Sequence, residues 1–243
     1  MSVPDELLAH TPTSSVCKVC GSAAALYGVT DFNKSCGENG GHYFPLSGIP
    51  VYYHQCGHCG LVFTNAFDRW SPAQYVQHIY NDDYVLVDPD YVDARPRSYA
   101  DFVQQFVRKA HNPALLDYGG GNGKLAALLA EQGFNAHSWD PIADSGCALP
   151  ALASFDLVTA FEVIEHTPEP LATTRQALSF LQDDGVMLFS TLTIDHLPPT
   201  RRITGTSHRA MATSRFTPAA RLKSCSAHSV TASITSTTSR IWP

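Results

Sequence analysis

Long apolar runs are missing from this 243-residue chain: no stretch approaches the 18 or more residues of a membrane span, so no spanning helix and no membrane partner are expected. The opening residues, MSVPDELLAHTPTSS, lack the basic start and apolar core of an export signal, and the protein is read as cytoplasmic. Acidic side chains are absent from residues 196–243, which carry 7 Lys and Arg and 17 Ser and Thr, whereas residues 1–195 hold 9 Lys and Arg against 22 Asp and Glu. The basic charges of that tail are scattered and not interleaved with aromatics, so nucleic acid is not expected as a partner. A composition of 44% hydrophobic and 16% charged residues, with 16 Gly and 16 Pro, excludes collagen, coiled coil and wholesale disorder.

What the chain does have is cysteine in pairs. Cys17-Lys-Val-Cys20-Gly and Cys56-Gly-His-Cys59-Gly are two copies of one turn, separated by 35 residues. Two such turns present four thiolates to one tetrahedral Zn2+, and the glycine after each pair lets the backbone turn beneath the sulfurs. A structural zinc module over residues 1–66 is therefore expected, with a redox Cys-x-x-Cys pair as the rival. Cys36, His42, His54 and His58 lie nearby as further candidate ligands, and residues 49–54 read as a strand.

Residues 67–96 form a Pro-punctuated strap dense in Tyr and Asp, suited either to hydrogen-bonding a polar ligand or to bridging two domains. Tyr99, Phe102, Val103 and Phe106 have helical spacing and predict an amphipathic helix over 97–110. After it comes a nucleotide-type unit. Ala114–Tyr118 is a short apolar strand, Gly119-Gly120-Gly121-Asn122-Gly123 a turn, LAALLAEQG a helix, and Phe134–Asp140 a second strand ending in an acid placed to accept ribose hydroxyls. A dinucleotide site leaves the turn free for pyrophosphate, but here Asp117 precedes it, and a carboxylate suits a cationic ligand such as S-adenosylmethionine.

On these residues, 114–192 resemble a class I S-adenosylmethionine-dependent methyltransferase. Ser154–His166, containing Phe155-Asp156-Leu157-Val158 and then Glu162-Val163-Ile164-Glu165-His166, is similar to that family's fourth strand and following turn. Residues 171–182 would be the next helix and 185–192 the fifth strand. The resemblance implies an α/β, Rossmann-like sheet over 97–195, truncated before strands six and seven, with strand five as an open edge. It implies that Asp117, Gly119 and Gly121 cradle the methionine part, Asp140 the ribose, and Phe161 and Glu162 the sulfonium side. Only 14 residues separate Asp140 from Phe155, so the adenine contact is open between Asp144 and Cys147.

Methyl transfer asks the protein to align an acceptor and remove its proton. His166 and Tyr84 are the candidate catalytic groups, with His166 as a plain turn residue the alternative. The combined layout resembles bacterial sugar C-methyltransferases and related enzymes of small-molecule acceptors, Tyr80, Asp83 and Tyr84 lying in a stretch similar to their substrate-facing strap. The resemblance stops near residue 195, and the tail 196–243 is read as disordered or as a shifted reading frame. The competing readings are a non-catalytic zinc-binding protein with a vestigial cofactor fold and an NAD-linked enzyme.

Overall fold

The Cys-x-x-Cys turns ride on antiparallel strands. A computed structural model describes residues 13–34, 44–107 and 112–191 and the backbone of 230–235; Cys36, His42 and all of the tail outside 230–235 lie beyond these described residues. Two compact units emerge, one containing the described residues up to Pro89 together with Ile164–Leu171, the other Asp90–Val163 with Ala172–Ser190.

In the first unit, β1 (Ser14–Val16), β2 (Ala23–Asp31), β3 (Pro50–Cys56) and β4 (Val62–Thr64) pair in that order. The register sets Ala24 opposite Cys56 and Asp31 opposite Pro50, with an irregularity between Leu26 and Gly28. The Asp31 carboxylate gathers the neck of this long hairpin: Oδ1 accepts from Asn33 N at 2.8 Å and Ser47 N at 3.0 Å, and Oδ2 from Gly48 N at 2.8 Å. Residues 67–89 belong to the same unit, and the strap proves helical. Ser71 caps α1 (Pro72–His78) through a reciprocal bond pair with Gln74, Pro72 supplying the preset φ of a first turn. A short α2 (Tyr84–Val87) and a 3-10 turn at Pro89–Tyr91 follow. Trp70 is gripped by Phe67, Tyr75 and His78 at ring separations of 4.9, 5.5 and 5.3 Å, which ties α1 to the loop after β4.

The second unit holds α3 (Ala94–Phe106), β5 (Ala114–Tyr118), α4 (Lys124–Glu131), β6 (Asn135–Trp139) and β7 (Phe155–Phe161). After them come α5 (Pro170–Ser179), whose first two residues group with the first unit, β8 (Leu181–Thr191) and β9 (Val230–Thr235). The strand order is β6-β5-β7-β8-β9, and β5 runs parallel to both β6 and β7. The chain leaves β5 toward one side and returns to its other side, which makes the carboxyl ends of β5, β6 and β7 a topological switch point, the place where open α/β sheets take ligands. Leu125, Leu128 and Leu129 recur at helical spacing on α4 and pack with Val103 of α3 against Leu115 and Leu157 of the sheet. Burying each such leucine contributes roughly 2 kcal/mol. Gly133, at φ 88°, stops α4 with its N–H on the Ala130 carbonyl at 2.9 Å.

Three expectations shift. The helix expected over 97–110 runs from Ala94 to Phe106, with Asp93 at its head paired to Arg97 and Val107 after it already extended. The fifth strand begins at Leu181 rather than 185, its first residues pairing with Phe155 across an irregular register. The open edge expected at that strand is covered, since β9, inside the basic tail, lies beside β8. Residues 140–154 form turns with no third strand, leaving β6 at the end of the described sheet.

Candidate functional site

The sulfur atoms of Cys17, Cys20, Cys56 and Cys59 lie within 4.8 Å of one another, and among the described residues they are the sole grouping able to hold a metal ion. The Cys17–Cys59 and Cys20–Cys56 sulfurs are 3.6 and 3.4 Å apart. A tetrahedral zinc with sulfurs at about 2.3 Å needs them about 3.8 Å from each other, so the four thiols fit the ion. No pair is joined as a disulfide. Both turns close alike: Gly21 N–H donates to the Cys17 carbonyl at 3.0 Å and Gly60 N–H to the Cys56 carbonyl at 3.1 Å, with φ of 70° and 75° that glycine alone adopts at little cost. Backbone N–H groups of Val19 and His58 point at Cys17 and Cys56 sulfur. The Ser22 hydroxyl and amide draw the Cys20 thiol down to about 6, while burial pushes Cys59 up to about 12. His54 is buried in β3 against the Phe63 ring at 5.9 Å, and neither it nor His58 belongs to the sulfur cluster. Lys18, between the first two cysteines, is buried and paired with Asp68.

The glycine turn is built on close approach. A Cβ on Gly119 would sit 2.6 Å from Val163 Cγ2, and one on Gly120 would sit 2.2 Å from Ser138 Oγ and 2.6 Å from Asp117 Oδ2. Asp117 is sealed beneath Gly120, where Oδ1 accepts from Thr159 Oγ1 at 2.9 Å. Burial raises its carboxyl to about 7, against the lowering by Thr159. A charge that repels phosphate is therefore the weaker half of the case made from this residue, and its packing under the turn the stronger. The ring of Tyr91 lies 3.2 Å from where a Gly121 Cβ would be, facing the turn from the chain entering α3.

Asp140, at the end of β6, is fixed by three backbone donors: Oδ1 accepts from Ile142 N at 2.8 Å and Ala143 N at 2.9 Å, and Oδ2 from Gly121 N at 3.0 Å. Two acceptor sites per oxygen leave Oδ2 able to take one further donor, which fits a ribose hydroxyl. Asp144 turns back to accept from Asp140 N at 2.8 Å, and with Trp139, Cys147 and Phe155 it lines a cavity of about 440 Å³ beside β6.

At the end of β7, Glu162 has φ 55°, a left-handed backbone that costs a non-glycine residue about 1–2 kcal/mol. Ser190 of β8 holds it from two directions, accepting from Glu162 N at 3.0 Å and donating to its Oε1 at 2.9 Å. The Tyr99 hydroxyl lies 3.0 Å from Ser190 Oγ and 3.3 Å from Glu162 Oε1, and the Tyr99 ring stacks on Phe161 at 4.1 Å and 11°. Val163 against Gly119 brings this corner to the glycine turn. Asp117, Gly119, Gly121, Asp140, Phe161 and Glu162 thus all belong to the second unit. Tyr84 and His166 fall in the first: the Tyr84 hydroxyl donates to Asp88 Oδ2 at 3.2 Å, and His166 closes a 3-10 turn after the buried Glu165.

Tyr91, Tyr99, Thr159 and Ser190 were not singled out as site residues by sequence reasoning. One of them left a signal, since Thr159 is the only uncharged polar residue in the strand FDLVTAF and its register partner is Asp117.

The sequence pattern of a family described as a methyltransferase domain matches residues 91–229. The chain belongs to that family. The ubiquinone biosynthesis O-methyltransferase of Actinobacillus pleuropneumoniae serotype 7 (strain AP76) is 26% identical over 119 residues, covering 38% of this chain and 51% of that protein. That of Neisseria meningitidis serogroup C (strain 053442) is 44% identical over 39 residues, or 16% of each. The chain thus spans about half the length of the first of these relatives. Among solved structures, the 1,6-didemethyltoxoflavin-N1-methyltransferase of Burkholderia thailandensis, bound to 1,6-didemethyltoxoflavin and S-adenosylhomocysteine, is 16% identical with a TM-score of 0.37, covering 73% of this chain and 82% of that one. The plantazolicin methyltransferase BpumL gives 13%, 0.38, 58% and 68%. Among the described residues of this methyltransferase-domain chain, no helix is long and apolar enough to cross a membrane.

Proposed function

We propose that the protein transfers a methyl group from S-adenosylmethionine to a small-molecule acceptor, and that Cys17, Cys20, Cys56 and Cys59 hold a structural Zn2+. The observation that carries the reading is the glycine turn joined to an anchored acid: Asp140 is oriented by three backbone N–H groups and keeps one acceptor site for a ribose hydroxyl. When bound, S-adenosylmethionine supplies an electrophilic methyl group on a sulfonium. The backbone at Gly119 and Gly121 cradles the methionine part, with Asp117 acting through the turn it underpins. Phe161 and Glu162 line the sulfonium side. Removing the acceptor's proton falls to His166 or Tyr84, of which a neutral imidazole is the better base near pH 7. The acceptor class is a sugar or a nucleotide-linked sugar or glycan precursor, on the resemblance of the layout to sugar methyltransferases. The catalytic domain occupies 97–195, preceded by the zinc module of 1–66 and the strap of 67–96.

Calorimetric titration of the zinc-quantified protein with S-adenosylmethionine, S-adenosylhomocysteine and NAD tests the cofactor. Binding of the first two and not the third is expected. A folded, zinc-loaded chain that binds none of them sinks the methyltransferase reading and favours a non-catalytic zinc protein, and binding of NAD alone favours the dinucleotide reading.

A further inference from the structure

Glu162 is half-buried, and its strained backbone is held in place by a network that the cofactor reading does not require. The bookkeeping of that network closes. Ser190 Oγ is fully buried and has one proton to give and two lone pairs to fill. Its proton goes to Glu162 Oε1 at 2.9 Å, and Glu162 N–H fills one lone pair at 3.0 Å. The Tyr99 hydroxyl, 3.0 Å away, fills the other. The Tyr99 ring cannot swing, because it is stacked on Phe161 at 4.1 Å, and Phe161 is braced edge-on by Phe102 at 6.1 Å. All of this restrains Oε1. Oε2 of the same carboxylate makes no hydrogen bond within the network and stays available to a ligand. A side chain held for packing alone would not need its backbone in a left-handed conformation and a relay of two hydroxyls, Tyr99 to Ser190 to Oε1, ending on one oxygen.

We propose that Tyr99 and Ser190 are positioning residues that hold the Glu162 carboxylate as a fixed counter-charge, so that the site prefers the cationic methyl donor over its neutral-sulfur product. This rests on the methyltransferase reading and deepens it. Donor and product share the same adenosine, carboxylate and ammonium groups and differ by one methyl and one positive charge at sulfur. A carboxylate beside that sulfur attracts the donor and loses its attraction once the charge has left with the methyl group. It stabilises the bound donor more than a transition state in which the charge is dispersing, so its work is selection of donor and release of product, not acceleration of transfer.

The test is titration of the full, zinc-loaded chain and of Glu162→Gln, Tyr99→Phe and Ser190→Ala with S-adenosylmethionine and S-adenosylhomocysteine separately. Glu162→Gln is expected to weaken the donor about tenfold and the product less than about twofold, as for a partly exposed charge contact. Tyr99→Phe keeps the ring stack and removes only the hydroxyl; it and Ser190→Ala are expected to lower the donor-to-product preference about threefold. The wild-type preference should also shrink as salt rises from about 0.05 to 0.5 M, as a charge effect must and a packing effect need not. Equal losses for both ligands in Tyr99→Phe, or a preference indifferent to Glu162→Gln, overturn the inference while leaving the cofactor site standing. A wild-type chain that binds neither ligand overturns the methyltransferase reading and this inference together.

Discussion

The two units keep their reactive groups in place by opposite means. In the first, the buried cluster around the cysteines is small, built from Cys17, Ala24, Cys56, Leu61 and Phe63, and four thiols stand together at its rim. In the second, an apolar cluster is built from α3, α4 and the sheet, and Asp117 lies buried in β5 with Oδ1 accepting from the Thr159 hydroxyl. Turns that end in exposed and half-exposed thiols are stabilised by a cross-link, here one that a metal would complete. A layered α/β unit has enough burial to hold a carboxylate beneath its ligand turn without any cross-link, though at the expense of that carboxylate's ionisation.

That contrast can be broken most forcefully at the thiols. Cys56→Ser is expected to take zinc from about one per chain to near zero and to unfold the first unit, since structural zinc contributes on the order of 10 kcal/mol in small lobes, while the second unit keeps its cofactor affinity. Metal analysis with a two-stage melt checks this, and simultaneous collapse of both units would contradict it. Next is Gly120→Ala. With Ser138 Oγ and Asp117 Oδ2 at 2.2 and 2.6 Å from the new Cβ, the turn must shift, at about 2–3 kcal/mol in stability, and affinity for S-adenosylmethionine should fall more than about a hundredfold.

The buried carboxylate gives a pH signature. Asp117 is raised by burial to about 7 in the folded chain, above an ordinary value near 4, so the folded state holds its proton more tightly. The stabilisation is complete below about pH 4 and is lost as pH rises through about 7, a change of a few kcal/mol. The melting temperature of the ligand-free chain should fall between about pH 4 and 8, and Asp117→Asn should flatten that slope. A wild-type melt independent of pH would show that Thr159 holds the ionised form. The smallest effect sharpens the first unit: Asp68→Asn strands the buried ammonium of Lys18, which burial pulls down, and should cost about 1–2 kcal/mol by denaturant melt, with zinc content unchanged.

Features encoded locally were legible in the sequence. The cysteine pairs, the glycine turn, the acid at the end of β6 and the apolar spacing of α3 and α4 each depend on residues within one turn or one strand, and each appears at its expected place within a few residues. What could not be read depends on residues far apart in the chain: Ser190 meeting Glu162, Tyr99 reaching both, and Tyr91 facing Gly121. The helices of the strap escaped notice because Pro72 and Pro89, which punctuate it, stand at the first position of short helical turns, where proline is accepted. The strand at 230–235 was hidden for another reason: Val230, Ala232 and Ile234 do alternate with Thr231, Ser233 and Thr235, but the run stands inside a basic Ser/Thr-rich tail that was read as a whole as disordered.

The bonds that converge on Asp31 carry one more consequence. Because a single carboxylate ties residues 33, 47 and 48 together, the path between β2 and β3 is closed at its base, and the entropy of bringing those ends together is settled there. Whatever the length of chain that runs from residue 34 to residue 47, the register of β2 on β3 is therefore expected to hold, and with it the spacing of the four cysteines.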